Sequence, residues 1–131
     1  MNQQTNKQRF SLRKRVSSFK YAVDGLKVLL AEEHNARIHM VVAVLVVIFG
    51  FIMDIGYAEW GLLLFTIGFV LVAEIFNTCV EAVCDVLCPE KDIRIKKIKD
   101  LAALAVLVAA VVAVAVGCLV FLPRLVSWLV C

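Results

Sequence analysis

The sequence contains no C-x-x-C pair, although it carries five cysteines: Cys79, Cys84, Cys88, Cys118 and Cys131. Their number is odd, they lie in or beside apolar runs, and only His34 and His39 could join them. No zinc framework suggests itself, and the cysteines read as small apolar side chains packed among helices. Neither a Walker A loop nor a protein-kinase glycine loop is present. The first residues, MNQQTNKQRFSLRKRVSS, are polar and basic without an apolar core, so no cleavable signal peptide is expected. Scarcest of all is polar surface. The hydrophobic share is 63% and the mean hydropathy +0.92, against about 45–50% apolar residues in ordinary soluble domains. A soluble fold of 131 residues would have too few polar side chains to cover itself. Membrane residence is the simpler account, with room for one domain, 1–131.

Three apolar stretches, 38–55, 60–87 and 101–122, are each long enough to cross a hydrocarbon layer that takes about 20 residues. Backbone polar groups in lipid must bond internally, so these spans are expected to be helices. The third is uncharged and closes with Pro123 and Arg124. Eight of the 14 Lys and Arg residues precede the first span and five lie between the second and third. The connection between the first and second holds only Asp54 and Glu59 as charges. The positive-inside rule then places the N-terminus and the second connection in the cytoplasm. Ahead of the first span, Val16, Phe19, Val23, Leu26 and Leu30 recur at steps of three and four. That stripe predicts an amphipathic helix over 16–35, lying on the membrane surface behind a basic tail, 1–15. The fold class expected is therefore an all-α integral membrane protein, a surface helix plus three transmembrane helices. Trp60 and Trp128 read as interfacial anchors, and His34 and His39 as markers of headgroup level.

The second span is not uniformly apolar. VLVAEIFNTCVEAVCDVLCPE, residues 70 to 90, carries Glu74, Asn77, Glu81 and Asp85. At helical spacing these fall within an arc of about 80°. An ionisable group inside a membrane helix costs a few kcal/mol and marks a site, so this face must look into a bundle or polar cleft. Glu74 is the deepest, about 16 Å along the axis from Asp85. Glu32 and Glu33 stand just before the first span, with Arg37 one turn after Glu33 for a helical ion pair. The second connection ends in IRIKKIKD. Carboxylates and lysines from three segments thus converge at one depth. Phosphoryl transfer asks for such a set: carboxylates to hold Mg²⁺, lysines to steady phosphate, and a base for the attacking hydroxyl. Two other readings stay open on spacing alone. The row could be hydrogen-bonded glue between helices, or it could line an ion- or proton-conducting oligomer. The pore is the weaker of these, because WGLLLFTIGFVLV offers only Thr66 beyond the acidic row.

The run AEIFNTCVEAVCD resembles the signature E-x-x-N-[S/T]-x-x-E-x-x-x-D of the small prokaryotic diacylglycerol kinase and undecaprenol kinase family. SFKYAVDGLK, EEHNARIH, EW, CPE, KIKD and FLPRL extend the resemblance over most of the chain. It implies a homotrimer of subunits with one surface helix and three membrane helices, in a bacterial inner or plasma membrane. It also implies composite active sites between neighbouring subunits, a lipid alcohol arriving from the bilayer, and MgATP from the cytoplasm. No nucleic-acid partner is expected. By motif, Glu74 matches the general base and Asn77 a residue orienting the reacting region. Glu33 and Glu81 match the metal-binding carboxylates, and Lys99 with Asp100 the nucleotide-contacting pair. Lys14, Tyr21 and the stretch Glu90, Lys91 and Asp92 align with further nucleotide contacts. Glu32, Arg37 and Asp85 receive no role.

Some positions depart from the family's pattern: Cys79 and Val80 where alanine and isoleucine are frequent, Leu104 where glycine is usual, and Lys14 where some members have arginine. None removes a proposed catalytic group. The resemblance implies ATP- and Mg²⁺-dependent phosphorylation of undecaprenol, with diacylglycerol as the alternative acceptor.

Overall fold

A computed structural model of the chain describes residues 12–88, 90 and 92–130, with side chains from residue 16 onward. It consists of four helices: α1 (Leu12–Glu32), α2 (His34–Ile52), α3 (Tyr57–Leu87) and α4 (Ile93–Val130). The last three are long and apolar enough to cross a membrane. Large aliphatic and aromatic side chains such as Leu45, Phe65, Leu107 and Leu119 lie exposed along them, as lipid-facing surfaces require. On α1, Val16, Phe19 and Leu26 are exposed too, and among its described side chains only Leu29 is buried. Its apolar stripe is largely uncovered.

A single residue separates α1 from α2. Glu33 leaves helical geometry (φ −100°, ψ 114°) and becomes the N-cap of α2, without a side-chain cap hydrogen bond. This break overturns the expected helical ion pair between Glu33 and Arg37. The Arg37 guanidinium instead reaches back over the break and donates to the Ala31 carbonyl at 2.7 Å, tying one of the open carbonyls at the end of α1.

The turn between α2 and α3 is a helix stop of the Schellman type. The Ile55 N–H donates to Gly50 O and the Asp54 N–H to Phe51 O, both at 3.3 Å. Asp54 takes the left-handed backbone position (φ 46°) that glycine commonly fills there. Gly50 is required by its neighbours: a Cβ on it would meet the Trp60 ring at 2.9 Å and Ile55 Cδ1 at 3.2 Å. At the start of α3, Glu59 reaches back to accept from the Gly56 N–H at 2.7 Å, the carboxylate half of a capping box.

The core gathers at this end. Ile55, Leu63, Val120 and Phe121 are buried together, flanked by Phe49, Met53 and Trp60. Phe49 and Phe121 lie with ring centroids 5.0 Å apart, tilted at 57°.

The third apolar segment does not stop at Pro123. The helix runs through it to Val130, although proline removes a backbone donor and crowds the preceding turn. Just beyond it, Arg124 Nη1 donates to the Val120 carbonyl at 3.2 Å. The same guanidinium grips Glu59 of α3 through two bonds, the one from Nη2 to Oε2 measuring 2.7 Å. At the opposite end of the α3–α4 hairpin, Lys99 of α4 donates to Asp85 of α3. The two cross-helix pairs share one antiparallel register and lie about 39 Å apart along α3.

Candidate active site

Along α3 one buried stripe runs Leu63, Thr66, Val70, Glu74, Asn77 and Cys84, the three-and-four spacing of a helix face turned inward. Its character changes along its length. The first third packs into the core described above. The middle third faces a cavity of about 360 Å³ between α2, α3 and α4, lined by Ile38, His39, Val42, Thr66, Val70 and Ala113 among others. The last third carries the acidic row.

Glu74, one turn beyond Val70, is only 1% exposed. Its Oε2 is buried without a hydrogen-bond partner, and so is Asn77 Oδ1. Buried polar oxygens are normally satisfied, so these two on one face of α3 stand out. The Asn77 amide donates to Glu81 Oε1 at 3.1 Å, fixing two members of the row against each other. The Thr78 hydroxyl is spent on the Glu74 carbonyl. The titratable groups near enough to act on the Glu74 carboxyl are His39, Glu33 and Glu81. Among the described residues, no group of three or more His, Cys, Asp and Glu side chains is arranged to hold a metal ion.

The remaining candidates are distributed differently. Lys99 is bonded to Asp85, which gives Asp85 a partner that its spacing did not reveal. Asp100, one residue on, turns away and pairs with Lys96 at 2.7 Å. Asp92 caps α4: its Oδ1 accepts from the Arg94 N–H at 2.7 Å and its Oδ2 from Arg94 Nη2 at 2.8 Å. The hydrogen bonds from Arg94 hold the Asp92 carboxyl below the usual carboxylate range. Tyr21 on α1 and Glu90 in the connection are exposed and touch none of the acidic row. The side chains of Lys14 and Lys91 lie outside the described residues. His39 was read as a marker of headgroup level, yet it is half-buried and lines the cavity.

Residues 20–121 match the model of the prokaryotic diacylglycerol kinase family. The chain belongs to that family. It is a member of a family of lipid kinases, and kinase membership implies use of ATP. Over 108 residues it is 34% identical to the undecaprenol kinase of Bacillus subtilis, covering 82% of this chain and 88% of that protein. It is 36% identical over 114 residues to a diacylglycerol kinase of Synechocystis, covering 86% of this chain and 65% of that protein. A diacylglycerol kinase of Helicobacter pylori is 31% identical over 91 residues, covering 70% of this chain and 71% of that protein. For this family member, the matched region takes in Tyr21, Glu33, the acidic row, Lys99 and Asp100, and leaves out Lys14 and Arg124.

Proposed function

We propose that this lipid kinase phosphorylates undecaprenol, with Glu74 as the general base. The observation that carries the reading is the Glu74 carboxylate, sealed from solvent with one oxygen unpartnered, beside an apolar cavity. The acceptor hydroxyl gives its proton to Glu74 as its oxygen attacks the γ-phosphorus of ATP. The new O–P bond forms as the bond from that phosphorus to the β–γ bridging oxygen breaks, and ADP departs with its electron pair. Most of the rate enhancement comes from alignment and charge neutralisation.

Mg²⁺ fits the residues present. It is commonly bound by one or two carboxylates together with substrate phosphates, so Glu33 and Glu81 suffice without a third protein ligand. Once bound, the ion neutralises charge on the phosphates. Glu81 keeps its second carboxylate oxygen free of Asn77, and Glu33 has no capping bond to lose. Lys99 supplies a cation to the nucleotide. Asp100, Tyr21 and the 90–92 stretch contribute from the periphery, and Lys14 from the N-terminal side. The chain works as a homotrimer in the bacterial inner or plasma membrane, its N-terminus and α3–α4 connection on the cytoplasmic side, where the basic residues concentrate.

The cavity favours undecaprenol over diacylglycerol. Apart from His39, its only polar side chain is Thr66, whose hydroxyl is committed to the Leu62 carbonyl at 2.6 Å. A single isoprenoid chain asks for no hydrogen bonds there, whereas buried ester carbonyls want donors. Purified protein in mixed micelles, offered undecaprenol and diacylglycerol separately with MgATP, tests the reading. Preferential phosphorylation of undecaprenol is expected, with a loss of about 10²–10⁴-fold in turnover for Glu74→Gln. Normal turnover by that variant removes Glu74 as the base, and preference for diacylglycerol reverses the acceptor.

A further inference from the structure

The kinase reading assigns nothing to His39. On α2 it faces the cavity from the side opposite Thr66 and Val70, half-buried, at the end nearer the acidic row. Every other side chain lining that cavity is apolar except Thr66, whose hydroxyl is already donated. His39 is thus the one lining side chain with a polar group to offer, and it shares the cavity wall with Val70, one turn before the buried Glu74 on α3. No hydrogen bond joins His39 to Glu74, and Glu74 Oε2 stays buried and unpartnered.

A gap between a buried acceptor and a ring nitrogen is suited to a small group that both donates and accepts. A hydroxyl does this: its proton meets the carboxylate, and one lone pair takes a hydrogen bond from imidazole N–H. The second lone pair remains free to attack phosphorus. The apolar remainder of the molecule lies in the cavity, which continues from His39 away from the acidic row.

We propose that His39 positions the acceptor hydroxyl, donating a hydrogen bond to the oxygen that Glu74 deprotonates. The inference rests on the lipid-alcohol reading above and gives a role to a residue to which that reading assigns none. It also explains why a polar ring stands in an otherwise apolar wall. A neutral imidazole is the form that serves, because an imidazolium would pair with the Glu74 carboxylate and occupy the base.

The test compares His39→Phe, which keeps a ring and loses the donor, with His39→Gln, which keeps an N–H donor. Both are assayed in mixed micelles against the unsubstituted protein with a prenyl alcohol and MgATP. For His39→Phe, kcat/KM for the alcohol should fall about tenfold or more, the worth of a buried hydrogen bond at the reacting atom, while KM for ATP holds. His39→Gln should recover most of the loss. The proposal is overturned if His39→Phe matches the unsubstituted protein, if His39→Gln is equally impaired, or if KM for ATP rises in parallel. A measurement on the unsubstituted protein covers the case in which variants fail to fold. The ¹⁵N resonances of the His39 ring, assigned with a His34→Gln variant, should shift on adding a short prenyl alcohol but not the hydrocarbon of the same chain. Equal responses to both sink the idea. If the unsubstituted protein phosphorylates no lipid alcohol at all, the kinase reading falls first, and this outcome differs from a working enzyme indifferent to position 39.

Discussion

At the scale of single residues, the acidic row divides into groups with an unpartnered oxygen and groups held by partners. Glu74 is enclosed with an oxygen to spare, whereas Asp85 is exposed and bonded to Lys99. An ammonium already held by a carboxylate is oriented but only partly neutralised, so an incoming phosphate can take it over. Replacing Lys99 by Met should therefore lower kcat/KM for ATP by about ten- to a hundredfold, the value of a charge-assisted hydrogen bond. Asp85→Asn should alter it by no more than about fivefold, because exposed pairs contribute little. Steady-state kinetics with ATP as the varied substrate separates the two. If Asp85→Asn is as damaging as Lys99→Met, Asp85 handles the nucleotide itself. Glu74, Asn77 and Glu81 could be placed on one face from their spacing alone, because a helix face is a local property. His39 and Asp85 could not be given partners this way. Their neighbours lie on other helices, and only packing brings them near.

At the scale of elements, the α2–α3 turn is the segment most tightly specified. Its glycine sits not at the left-handed position but at Gly50, under the Trp60 ring, while Asp54 adopts φ 46°. Asp54→Gly should raise stability by about 0.5–1 kcal/mol, since glycine takes that backbone region freely. Gly50→Ala should lower it by about 1–3 kcal/mol, the usual cost of forcing a methyl group into a filled space. Unfolding of the detergent-solubilised protein, followed by helical circular dichroism, measures both, and opposite signs are expected. The existence of all four helices was legible in apolar periodicity and run length. Their ends were not. Glu33 breaks the α1–α2 boundary two residues before the expected end of the surface helix, and α4 passes through Pro123 to Val130, with Arg124 just beyond the proline bound to Glu59. That partner lies 65 residues away in sequence, beyond the reach of any local pattern.

At the scale of the whole molecule, α3 and α4 form one long hairpin fastened at both ends, by Glu59 with Arg124 and by Asp85 with Lys99. A helix pair fastened at both ends cannot slide without breaking one of them, so the far clasp helps set the register at which Lys99 meets the acidic row. Glu59→Gln should lower the thermal midpoint of the solubilised protein and, through that register, reduce turnover, although Glu59 lies far from Glu74. Exchanging the charges, Glu59→Arg with Arg124→Glu, should restore part of both. A double variant worse than the sum of its parts would show that the two side chains do not act as a pair.

The distance between these clasps has a consequence for the surrounding lipid. About 39 Å of α3 separates them, more than the roughly 30 Å hydrocarbon layer and close to the 40–45 Å of a bilayer with its headgroups. Each pair can therefore rest in a headgroup zone only over a narrow range of membrane thickness. Longer acyl chains would draw one clasp into hydrocarbon, and shorter ones would leave apolar helix in water or force the hairpin to tilt. In a bilayer the hairpin would act as a gauge for hydrophobic mismatch, with acyl-chain length the quantity it reads.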